Sequence, residues 1–176
     1  EVDDAAGGIV YLIDHQGAND IVRAIDRYYE RFMGRYDRPV LVAEWGGHWM
    51  GSPASRLDAE LHSGLWATIT SPLAGDTGFW WWLHVHFADR YAHYRAATRF
   101  MAGEDLRGLQ RKEPSARGSV PLRARAMMND TRAYAWVYHP RVTQSLDPPI
   151  EVQGARLDLP DMEKGRYRIV FWDTYQ

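Results

Sequence analysis

Over the first hundred residues, short unbroken apolar runs alternate with stretches of helical spacing, and each short run ends on polar residues. "GGIVYLIDHQGAND" carries the run Ile9 to Ile13, closed by Asp14 and His15, and reads as a buried strand that is polar only at its C-terminal end. Asn19 or Asp20 can cap the next segment, where Ile21, Ile25, Tyr28, Tyr29 and Phe32 recur at helical spacing as far as Gly34. "RPVLVAEW" (38–45) is a second strand, again with its polar residue, Glu44, near the end. "SRLD" (55–58) fits a capping box of Ser55 with Asp58, and Leu57, Leu61, Leu65 and Ile69 follow on one helical face. After the breakers Pro72, Gly75 and Gly78, "GFWWWLHVH" (78–86) reads as a third strand, and "DRYAHYRAATRFMAG" (89–103) as a helix closed by Gly103. Strand–helix three times over predicts parallel strands covered by helices, an α/β arrangement.

The pattern changes after Gly103. Residues 106–120 are charged and rich in breakers and read as a linker or surface loop. "RARAMMND" (123–130), "RAYAWVYHP" (132–140), "ARLDLP" (155–160) and "GRYRIVFWDT" (165–174) read as short strands with no helical pattern between them. The expected division is therefore an α/β unit over 1–105, a linker over 106–120 and a small sandwich-like all-β unit over 121–176. Glu1 rather than Met opens the sequence and "IVFWDTYQ" closes it within an expected strand, so both ends read as cut from a longer parent.

Composition narrows the function classes. A net charge of −2 gives no basis for nucleic-acid binding, and no run of eighteen apolar residues is present to span a membrane. Cysteine is absent, which removes disulfides and thiolate metal sites and leaves the compartment open. Eight Trp and ten Tyr among 176 residues are an excess, with Trp80, Trp81 and Trp82 in a row. Flat apolar faces with polar edges suit sugar rings as well as cores. Strand alternation would send Trp80 and Trp82 one way and Trp81 the other.

In parallel α/β folds the polar residues at the C-terminal ends of strands face the site. That rule collects Asp14 and His15, then Glu44 with His48, then Trp80, Trp82, His84 and His86 on one rim. Glu44, half desolvated at a strand mouth, is suited to act as a general base, a nucleophile, a metal ligand or a salt-bridge partner. His84-Val85-His86 on a strand would put two imidazoles on one face, compatible with a metal whose third ligand is His15, His48 or Glu44.

The order of these segments resembles strands six to eight of the (β/α)8-barrel (TIM-barrel) retaining glycoside hydrolases, the clan that includes the family 5 cellulase-like enzymes. The segments concerned are a strand ending near His15, "RPVLVAEWG" ending in Glu44, "GFWWWL", and the helix "DRYAHYRAATRFMAGEDL". "GRYRIVFWDTYQ" is similar to the end of the β-sandwich that follows such barrels in some bacterial members. The resemblance covers residues 8–105 and, more loosely, 120–176. It implies that Glu44 is the nucleophile, that Trp80 or a neighbour such as Trp82 lies under the reacting sugar, and that His15 contacts substrate; the strand-end rule adds His48 and His84 as expected substrate contacts. His15 departs from the pattern, since Gln16-Gly17 stands where an aromatic residue usually follows. It further implies a carbohydrate substrate, no metal, no cofactor and an extracellular or periplasmic setting. The family's acid/base Glu belongs to an Asn-Glu pair on strand four, and no such pair occurs here. The acid and the first five barrel units are then expected before Glu1, with Asp14, Asp76 and Asp89 as the local acids nearest the rim. The open sheet edge would be covered by that missing half or by self-association. Two alternatives are a non-catalytic carbohydrate-binding or interaction module, and a metal-dependent hydrolase using His84 and His86.

Overall fold

Two of the apolar runs lie side by side. The computed structural model describes residues 9–11, 20–32, 40–46, 52–73, 78–146 and 148–176. Strand β1 (Ile9–Tyr11) pairs in parallel with β2 (Leu41–Glu44), placing Ile9 opposite Leu41 and Tyr11 opposite Glu44. Helix α1 (Ile21–Phe32) connects them, as the sequence predicts. Asp20 caps it: its Oδ1 accepts from the backbone N–H groups of Val22 (3.1 Å) and Arg23 (3.3 Å). Ile21, Val22, Ala24 and Ile25 form its buried face.

Helix α2 (Ala54–Ile69) follows, with Leu57, Leu61 and Leu65 buried as their spacing predicts. The expected capping box is not formed. Pro53 takes the N-cap position, its carbonyl accepting from Arg56 (2.9 Å) and Leu57 (3.2 Å), so Ser55 falls inside the first turn. Asp58 is then free of cap duty and bonds outside its own helix. From Ala59 to Thr68 every residue is buried, so α2 is covered all round rather than along one stripe.

The expected third strand is a correction. Only Phe79 behaves as one, in a single parallel bridge to Trp45, with Trp45 N–H donating to Gly78 O (3.2 Å) and Trp80 N–H to Trp45 O (2.7 Å). The chain then winds into helix α3 (Trp82–Phe87), where Val85 N–H reaches Trp81 O (3.2 Å) and Ala88 N–H reaches His84 O (3.0 Å). Aromatic and β-branched residues favour strands, but a short apolar run has no period that separates a strand from a buried helical turn. Here Val85 alone on α3 is buried, which one helical turn accommodates. Asp89, at φ 51°, turns the chain into α4 (Tyr91–Met101), the third of the three helices that the sequence predicts. Among the described residues the parallel sheet stays open.

The interval expected as a linker carries structure. Strands β3 (Gln110–Lys112) and β4 (Ser115–Arg117) lie within it, and β3 joins β5 (Arg123–Met128) and β6 (Ala133–Tyr138) in an antiparallel sheet of order β3-β5-β6. β4 pairs with β7 (Arg156–Asp158), also antiparallel. The breaker-rich composition concealed β3 because its charges are used internally. The Arg111 guanidinium, whose side chain is 8% exposed, sits 2.9 Å from Asp26 on α1 and 2.6 Å from Glu113. Arg125 on β5 is buried more deeply and meets Asp26 Oδ1 at 2.5 Å, Ser71 Oγ at 2.9 Å and Thr70 Oγ1 at 3.1 Å. One carboxylate therefore holds two guanidiniums where α1, α2 and the antiparallel sheet meet. Trp136 and Tyr138 of β6, stacked 4.0 Å apart, belong to the same apolar cluster as Ile25, Val42 and Leu61, so the two parts of the chain share a core.

The strand expected over 165–174 is absent. No strand of either antiparallel sheet pairs with it among the described residues, and alternation alone cannot hold a strand without a ladder. Ile169, Val170 and Phe171 are exposed, at 76%, 62% and 93%. The chain beyond them crosses α2 and α4 instead.

Candidate active site

Two observations place Glu44. It ends β2 beside the Phe79 bridge, and its neighbour Trp45 is completely buried. The Trp45 indole runs under α2, where Gly64 leaves room for it: a Cβ on Gly64 would lie 2.1 Å from Trp45 Cζ3. Glu44, the residue before Trp45, alternates to the other face of the strand. The carboxylate is half buried. Gly46, at φ 138°, lets the backbone leave the strand past Phe79, whose ring packs 5.1 Å from that of Trp45. A Cβ at Gly46 would meet Phe79 Cε2 at 3.0 Å, so both the conformation and the space favour glycine.

The Trp80 N–H bond to the Trp45 carbonyl brings Trp80 to the strand end adjacent to Glu44. Trp80 is 48% exposed and Trp82 65% exposed, whereas Trp81 packs against the core. Exposure divides the triplet as the sequence suggests, although Trp80 and Trp81 precede α3 and Trp82 is its first residue. His15 and His48 lie outside the described residues.

His84 belongs to a different neighbourhood from the expected strand end. It sits on α3 with Nε2 2.8 Å from Asp58 Oδ1, and the same oxygen accepts from Arg90 Nε at 2.7 Å. His86 faces Tyr91 Oη at 3.1 Å. Residues two apart on a helix point in different directions, so the helical geometry removes the shared face that made His84 and His86 resemble a metal pair. Among the described residues no group of three His, Asp or Glu side chains is arranged to hold a metal ion.

Sequence reasoning missed two groups. Asp58 is the hub that ties α2 to α3 and to the turn before α4. His62, one turn further along α2, is fully buried with Nδ1 3.3 Å from Nδ1 of His93 on α4. Burial first, and the neighbouring His93 second, hold the His62 imidazole down at about 3. Burial lowers His93 too, with Asp58 opposing the shift and Arg90 adding to it. The four-residue spacing of Asp58 and His62 between buried leucines was the available signal, since it sets two polar groups on one face of a covered helix.

No family model, curated protein or solved structure matches the chain.

Proposed function

We propose that the rim around Glu44 is the nucleophile half of a retaining glycoside hydrolase site, in the C-terminal units of a (β/α)8 barrel followed by a small all-β unit. The observation that carries the reading is the pairing at adjacent strand ends of a half-buried carboxylate, Glu44, with an exposed indole, Trp80. The parallel order β1, β2, Phe79 is what successive barrel strands require. In the proposed reaction a second carboxylic acid, supplied by sequence preceding Glu1, protonates the glycosidic oxygen. Glu44 attacks the anomeric carbon to give a covalent glycosyl-enzyme, which water then hydrolyses with that second residue as base. The two carboxyl groups must stand about 5–5.5 Å apart. Trp80 or Trp82 supplies the apolar floor for the sugar, and His15 and His48 line the rim. His84, bonded to Asp58, ties α3, which carries Trp82, to α2.

The chain alone is expected to leave aryl glycosides intact. Supplying the segment that bears the acid should restore hydrolysis, and Glu44→Gln should abolish it. Turnover by the chain alone that is lost in Glu44→Gln would overturn the half-site and point to a local acid.

A second reading, a carbohydrate-binding module without catalysis, draws on the exposure of Trp82, Phe87 and Tyr91 (65%, 80% and 43%) on and beside α3. Soluble oligosaccharides that bind equally well to the parent and to Glu44→Gln, with no hydrolysis once the acid-bearing segment is present, would favour it.

A further inference from the structure

The segment 172–175 lies across α2 and α4 through a small set of specific contacts. The Trp172 ring meets Phe100 edge-on at 5.8 Å. Trp66 Nε1–H donates to the carbonyl of Thr174 at 3.3 Å, and Thr174 Oγ1 stands 3.4 Å from Nε2 of His62. Tyr175 then stacks on His62, centroids 4.1 Å apart and planes within 6°, while meeting His93 edge-on at 6.1 Å. Tyr175 keeps 44% of its surface in solvent, whereas His62 beneath it keeps 2%. The tyrosine is thus a thin cover over a buried imidazole.

Both nitrogens of His62 are committed, one to His93 and one to Thr174. Two Nδ1 atoms at 3.3 Å can share one proton between them, and a proton on each would set two N–H groups against one another. With Tyr175 in place His62 keeps only 2% of its surface in solvent, and desolvating a charge is expensive. Lifting Tyr175 opens one face of the ring to solvent. The stretch just before it, Ile169–Phe171, is exposed and joined to no strand among the described residues, so the segment can move without breaking a sheet.

We propose that residues 172–175 form a strap latched by the neutral His62–His93 pair and released when that pair takes up a proton. The groups around the pair leave this assignment intact. Asp58 on α2 and Arg90 before α4 act on His93 in opposite senses, and Asp173 acts on Tyr175. From β6 the nearest ring is the uncharged Trp136, 6.3 Å away. Glu60, two positions before His62, faces another side of α2. The low proton affinity of both imidazoles agrees with a latch that holds near neutral pH.

The absence of cysteine permits a clean probe. A nitroxide on Gln176→Cys reports strap mobility by electron paramagnetic resonance as pH is lowered from about 7.5 to about 4.5, with far-ultraviolet circular dichroism followed in parallel. The ratio of mobile to immobile signal should rise about tenfold or more with the dichroism unchanged, and should fall back on neutralisation. In a His62→Gln background the rise should shrink to about twofold or less. A flat ratio, a rise that appears only with loss of helical signal, or the same rise in His62→Gln would each overturn the strap. Should His62→Gln not fold, nuclear magnetic resonance titration of the parent decides. His62 titrating near the ordinary histidine value with the label still immobile contradicts the latch, and a titration displaced downward together with label release supports it.

Discussion

The seam at the end of α2 and the rim at the end of β2 treat charge in opposite ways. At the seam Arg125 is buried and wrapped by Asp26, Thr70 and Ser71, and Asp26 also holds Arg111. At the rim Glu44 is half buried and its aromatic neighbours Trp80 and Trp82 keep about half or more of their surface in solvent. A polar group buried among protein partners fixes the fold, because leaving any one of those partners unpaired is costly. Apolar rings left in water beside a half-buried acid contribute little to stability, which leaves them available to the proposed ligand. The contrast assigns the seam to structure, and the rim is where the proposed chemistry would sit.

Four expectations follow for substitutions and pH, and the contrast stands or falls with them. Asp26→Ala leaves the guanidiniums of Arg125 and Arg111 facing each other at the seam, and should cost about 3–5 kcal/mol in urea unfolding. A loss under about 1 kcal/mol would mean that the seam does not hold the two parts together. Gly64→Ala drives a methyl into Trp45 and should cost about 1–3 kcal/mol by the same measurement. At an open helical position that change would instead stabilise by about 1 kcal/mol, so its sign reports the packing behind Glu44.

His62 supplies a pH test. Its folded value lies below the ordinary value of 6.5, at about 3, so its contribution is complete above about pH 6.5 and is lost as pH falls from there toward 3. Lowering the pH from about 7 to about 5 should remove about 2 kcal/mol, through release of the strap or global unfolding. A stability that is flat over this window, or that rises on acidification, contradicts the buried neutral imidazole. The smallest stability effect is expected at the rim. Trp80→Ala and Trp82→Ala should each change stability by about 0.5 kcal/mol or less while weakening oligosaccharide binding. A large loss of stability would move these indoles from the rim to the core.

How much of this could be read from the sequence depends on where the stabilising partner lies. The helices α1, α2 and α4 carry their own period in Ile21 and Ile25, in Leu57, Leu61 and Leu65, and in the stretch from Tyr91 to Met101, so they were legible. So were β2 and the antiparallel pair β5 and β6, whose alternation matches a ladder that exists. The stretches 78–86 and 165–174 carry equally strand-like residues. In the first, the chain leaves the strand after Phe79 and closes helical bonds such as Val85 N–H to Trp81 O, and in the second no strand lies alongside among the described residues. β3 went unread because the partner of Arg111 is 85 positions earlier, at Asp26. Glu44 and Trp80 stood out because strand ends are marked locally. Asp58 with His84, and His62 with His93, are joined only by helix packing, which one sequence does not display.

The central claim, that Glu44 is the nucleophile of a retaining site, is tested most directly by trapping its covalent intermediate. The chain, supplied with the segment that bears the acid, is treated with a 2-deoxy-2-fluoroglycosyl fluoride and mapped by peptide mass spectrometry. The account predicts a single glycosyl adduct on the Glu44 carboxylate, absent in Glu44→Gln; an adduct on any other carboxylate, with Glu44 unmodified, would contradict it.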